Sequence, residues 1–169
     1  MKICGDTNAE ANETFRVVLS NATGATILQP QGAGTIVNDD VLELVLEENG
    51  PNAGRAAAVD ARLAVRDPFR VLIPEWLRPT ETDHATRVAF FVRGLQLNPG
   101  ELSNAVVVRF TASNGGIFQT PAEDVRAVPN SEFTQVTVRL PNTLPPDTYT
   151  VLIGAHTRIS NTGTIQIVP

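Results

Sequence analysis

The stretch Ala105-Val106-Val107-Val108-Arg109-Phe110-Thr111-Ala112-Ser113-Asn114-Gly115-Gly116-Ile117-Phe118-Gln119-Thr120 decides the fold class. Two runs of strand-forming residues, 105 to 112 and 116 to 120, flank Ser113-Asn114-Gly115. That triplet is a hairpin signal, because asparagine and glycine accept the backbone conformations that tight turns demand. Upstream, Val88, Phe90 and Val92 alternate with Arg87, Ala89, Phe91 and Arg93 between Ala85 and Gly94, the period of a strand with one buried face. Downstream, Glu132 to Leu140 predicts a strand with Val136 and Val138 inward.

The same pattern continues to both sides. Leu144 to Ile153 reads as a turn and a strand, and His156 to Ile159 with Thr164 to Val168 as a terminal hairpin across Ser160-Asn161-Thr162-Gly163. Towards the start, strand-like runs occur at Val41 to Leu46, Ala61 to Val65 and Phe69 to Ile73. The turn-rich segment from Glu48 to Gly54 follows the first of these, and Pro68, Pro74 and Pro79 separate the later runs. Short strands at this spacing predict an all-β protein, with an Ig-like β-sandwich over residues 41–169. Val65-Arg66-Asp67-Pro68-Phe69-Arg70-Val71 and Thr86-Arg87-Val88 resemble the modules that follow Calx-β repeats in bacterial surface proteins.

Composition narrows the function classes. With 169 residues, 42% of them hydrophobic, the chain is long enough for one sandwich and part of another. The net charge is −5, Lys2 is the only lysine and the arginines are scattered singly, so no cationic surface for nucleic acid is expected. No long apolar run or basic amphipathic segment predicts membrane insertion. Cys4 stands alone, which excludes an intrachain disulfide and reads as a small strand hydrophobe. The start, Met1-Lys2-Ile3-Cys4-Gly5-Asp6, lacks the apolar core of a signal peptide, so an export signal is expected upstream.

Residues 3 to 40 form a separate group. Phe15, Val17 and Leu19 alternate with Thr14, Arg16, Val18 and Ser20, and Asn21-Ala22-Thr23-Gly24 supplies a turn. A second strand is expected at Ala25 to Leu28, with a break at Gln29-Pro30-Gln31-Gly32 and a third strand from Gly34 to Val37. Three blocks here, Gly5 to Phe15, Leu19 to Ala25 and Gly34 to Asp40, resemble the last third to half of a Calx-β domain. The resemblance covers about a quarter of the 169 residues and implies residues 1–40 as the end of such a module. Calx-β domains are Ig-like sandwiches, several of which bind calcium at one end. The resemblance implies calcium as the cofactor, with Asp6, Glu10, Glu13, Asp39 and Asp40 as its ligands.

The residues give that expectation a physical basis. If the strand from Thr14 and the one ending at Val37 are antiparallel neighbours, Glu10, Glu13, Asp39 and Asp40 emerge at one end of the sheet. A carboxylate cluster repels itself unless a hard cation sits among it, and calcium takes six to eight oxygens from such loops. The alternative is a solvated acidic loop followed by an acidic linker. The apolar face formed by Phe15, Val17, Leu19 and Ile36 has no covering sheet within these residues, which predicts a homo-oligomer or a filament through strand addition.

Catalytic constellations are thin. Asp83-His84 lacks a nucleophile elbow, and His156 has no Cys or His at metal-ligand spacing. Glu47-Glu48 and Glu123-Asp124 are sequence neighbours, which point apart in a strand. Trp76, between Pro74 and Pro79, reads either as a loop pinned to the sandwich or as a carbohydrate-stacking platform. The expectation is a non-enzymatic, extracellular structural or adhesive module of a bacterial surface protein. The competing one is a carbohydrate- or ligand-binding accessory sandwich with Trp76, Phe91 or Tyr149 as platform.

Overall fold

A computed structural model describes residues 13–36 and 41–169 of the chain. It divides into two compact units, Met1–Val41 and Leu42–Pro169, each described by itself. Among the described residues the regular structure is strand, apart from three short 3-10 turns.

The described part of the first unit is a ribbon of β1 (Glu13–Val18) and β2 (Gln31–Ile36), antiparallel with Phe15 opposite Gly34. The Phe15 ring covers Gly34 so closely that a Cβ there would lie 2.4 Å from it. The ring of Phe15 thus occupies the space that a side chain at position 34 would take, and a larger residue there would displace it. Two sequence expectations need correction. No strand forms at Ala25 to Leu28, where Leu28 is exposed, and β2 begins at Gln31, inside the segment read as a break. The reason lies at Pro30, whose carbonyl accepts from Leu19 N at 2.8 Å and starts the pairing of the two arms there.

The second unit is a sandwich. Its first sheet places β3 (Glu43–Leu44) and β4 (Ala58–Asp60) along one edge of β6 (Arg87–Arg93), followed by β9 (Thr134–Arg139) and the second half of β8 (Ile117–Ala127). The second sheet runs from the first half of β8 through β7 (Val106–Thr111), β10 (Asp147–Ala155) and β12 (Gly163–Val168) to β5 (Phe69–Arg70), the last pair being parallel. Strand β8 belongs to both sheets, and the bulge between Ala122 and Asp124 turns it from one to the other. The expected strand at 116 to 120 is thus the first half of a longer one that carries Glu123 and Asp124.

The predicted hairpin is present. Gly115 N donates to Ala112 O, Ala112 N donates to Gly116 O, and Gly115 takes φ 86°, a three-residue connection closed by a left-handed glycine. The predicted inward residues Val88, Phe90, Val92, Val136 and Val138 are all fully buried. Between the sheets, the Phe110 ring lies 6.3 Å from Phe90 and 6.4 Å from Tyr149, the latter edge-on at 88°. The Tyr149 hydroxyl donates to Pro145 O at 2.9 Å, so the buried phenol ties β10 to the turn before it.

Two further expectations are corrected. Residues 61 to 65 form a turn instead of a strand, because Asp60 Oδ1 accepts from both Arg62 N and Leu63 N and Ala64 takes φ 55°. At the C-terminus, β11 (Arg158–Ile159) folds back on β10 through His156-Thr157, and β12 pairs with β10 instead of with β11. His156 therefore sits in a turn at φ 56°. The connecting residues fill the gap: Ser160 Oγ accepts from Ile153 N at 2.9 Å, and the Asn161 amide pairs with both backbone groups of Leu44.

Candidate functional site

The segment between β4 and β6 contains the exposed tryptophan. Ile73 N donates to His84 O and Thr86 N to Val71 O, so residues 74 to 83 leave and rejoin the sheet at a closed neck. Pro74 enters with its φ already fixed, and Leu77 N and Arg78 N donate to Pro74 O and Glu75 O, making one 3-10 turn, Glu75–Leu77. Pro79 stops it. The turn carries Trp76 outward, 77% exposed, so the tryptophan does not pin the loop against the sandwich.

A lattice of charged hydrogen bonds braces this loop. Arg62 donates to Glu81 Oε2 at 2.7 Å and to Asp83 O at 2.7 Å, while Arg78 donates to Glu81 Oε1 at 2.6 Å and to Arg62 O at 3.0 Å. Asp83 accepts from Ala85 N and from Arg87, whose Nε also donates to Glu123. The Ala85 amide, and then Arg87, hold the Asp83 carboxyl well below the usual carboxylate range. Each pair alone contributes little at a surface, but two arginines converging on Glu81 fix the loop's geometry.

Beneath the turn lies a cleft of about 560 Å³. Trp76 and Leu77 line its exposed rim, and Asp60, Phe69, Ile73 and Thr86, all buried, line its floor. This volume falls within the range of small-ligand pockets, and a mainly apolar lining with few polar groups is their usual make-up. No family model, curated protein or solved structure matches this chain.

Of the five proposed calcium ligands only Glu13 is described; it is exposed at the first position of β1, opposite Ile36. Asp6, Glu10, Asp39 and Asp40 lie outside the described residues. Among the described residues no three His, Cys, Asp or Glu side chains come together as a metal-binding group, and no helix is long and apolar enough to cross a membrane.

Tyr149 is fully buried in the core and is excluded as a stacking platform. Phe91 is half-buried on β6. Asp83 pairs with Arg87 and not with His84, so the pair has no triad geometry. His156 Nε2 donates to Glu101 Oε2 at 2.8 Å, and this bond, with one from Asn98 N, holds the Glu101 carboxyl below its usual range. Glu47 is held by Arg66 and Glu123 by Arg87, so neither carboxylate pair faces a common cleft. Sequence reasoning missed Asp60, Arg62, Arg78 and Glu81, which come together only through the tertiary fold.

Proposed function

We propose that this chain is a non-enzymatic, extracellular module of a bacterial surface protein, whose second unit is an Ig-like sandwich that recognises a ligand in the cleft beneath Trp76. The observation that carries this reading is the 77% exposure of Trp76 on a braced turn above a small-ligand-sized apolar cleft. An indole in water continuous with apolar walls has the make-up of a binding surface, where tryptophan is enriched. Preorganisation by Arg62, Arg78 and Glu81 keeps low the cost of ordering that surface on binding. The Ig-like assignment is supported by the strand order and by the bond from the Tyr149 hydroxyl to Pro145 O, a tyrosine corner.

Trp76 is the only tryptophan, so its emission reports directly on the cleft. An array of soluble oligosaccharides, small organic cations and short peptides is expected to contain a class that changes this emission saturably. The Leu77→Asp variant should lose the response. An array in which no class perturbs Trp76 would defeat the reading.

For the first unit, the calcium-binding and self-assembling role rests on the Calx-β resemblance and on the exposed Val17, Val18 and Leu19 of the ribbon. Light scattering in calcium and in chelator tests both parts. Concentration-dependent mass that differs between the two conditions is expected. A monomer of unchanged thermal stability in both would remove the role.

A further inference from the structure

The floor of the cleft contains an unusual group. Asp60 is buried, at 3% exposure. Its two hydrogen bonds, from Arg62 N at 2.8 Å and Leu63 N at 2.9 Å, both end on Oδ1. Among the described residues no arginine or lysine pairs with it, and Oδ2, which takes no protein donor, is left to solvent. Buried carboxylates are ordinarily paired, because removing the charge from water is costly unless a cation or several donors replace the solvent. Asp67 shows the ordinary case: its buried carboxylate takes Arg55 on one oxygen and Gln166 N on the other.

From this contrast, and resting on the reading of the cleft as a recognition site, we infer that its ligand is a small organic cation: a substituted ammonium whose charge sits between the Trp76 indole and the Asp60 carboxylate. The two groups are complementary to one chemistry. An indole face attracts a cation through its quadrupole and covers the alkyl groups around it, and a buried carboxylate supplies the counter-charge. Leu63, Ile73, Pro74 and Leu77 give apolar walls that suit alkyl substituents better than a hydroxylated sugar, with Thr86 the one hydroxyl on the floor. Arg70 also lines the cleft, but it is exposed and its guanidinium donates to Pro169 O, so its charge is screened by water at the rim while Asp60 acts from the floor.

Choline and its uncharged isostere 3,3-dimethyl-1-butanol serve as the probes, titrated against the full chain by Trp76 emission and by calorimetry. Choline is expected to bind at least about tenfold more tightly than the isostere. Asp60→Asn, whose amide oxygen can still accept from Arg62 N and Leu63 N, should erase that preference while leaving isostere binding and the thermal midpoint near those of the parent. Trp76→Ala, at an exposed position, should weaken both ligands in calorimetry. Equal binding of the two probes to the unmodified protein, or an undiminished preference in Asp60→Asn, overturns the cation assignment and leaves the cleft as a site for neutral ligands. Binding of neither probe also overturns it, and the ligand array then decides separately whether the cleft recognises anything.

Discussion

Replacing Phe110 with alanine is expected to destabilise the second unit by about 3–5 kcal/mol, the range for removing a buried aromatic ring from a packed core. Phe110 lies on β7, a central strand of the second sheet, and is fully buried. Its ring touches both halves of the sandwich, with Phe90 facing it from the first sheet and Tyr149 beside it on β10. Alanine leaves a cavity that neither neighbour can fill, since Phe90 is clamped between β4 and β9 and Tyr149 is tethered through its hydroxyl. Urea unfolding followed by circular dichroism is the suitable measurement, because Trp76 stands in water and its emission reports little of the core. A lower midpoint at unchanged slope is expected. A loss below about 1 kcal/mol would mean that the two sheets do not close on this ring.

Asn161→Ala is expected to cost about 2–4 kcal/mol, although Asn161 itself is on the surface. Its Oδ1 accepts from Leu44 N at 2.7 Å and its Nδ2 donates to Leu44 O at 3.0 Å, so one side chain stands in for a missing strand partner 117 residues away. Leu44 is fully buried, and truncation leaves both of its backbone groups without a protein partner. Asn161→Asp separates the two bonds: a carboxylate can still accept from Leu44 N but repels Leu44 O. It is expected to fall between alanine and the parent when unfolding is measured near pH 3, and close to alanine at pH 7. Identical stability of all three proteins would show that water replaces the amide at no cost.

Both predictions rest on contacts of different legibility. Strands β6, β7 and β9 were readable because their signal is local: alternation at Val88, Phe90 and Val92 or at Val136 and Val138 follows from one face being buried, and each of these residues is. The hairpin at Ser113-Asn114-Gly115 was readable for the same reason. Partner choice was not. Nothing near Thr164 to Val168 states that this strand pairs with β10 while Arg158 and Ile159 already occupy part of the same edge. Nothing near Pro121 states that β8 changes sheets there.

The site divides the same way. Trp76 between two prolines was visible as a candidate, but its exposure depends on Arg62, Arg78 and Glu81 holding the loop away from the sheet, and those residues meet only through the fold. Asp60 gave no signal, because its sequence neighbours suggested a strand running on to Val65. The bonds from Arg62 N and Leu63 N that turn the chain after β4 both fall on Oδ1, at a residue that lines the cleft.

Everything claimed for the cleft depends on the indole standing in water at its rim. Acrylamide quenching of Trp76 emission measures that directly, with no ligand required. The account predicts quenching close to that of N-acetyltryptophanamide and an emission maximum characteristic of a hydrated indole. A shielded indole with blue-shifted emission would place Trp76 against the sandwich, and would contradict both the cleft and the function proposed for it.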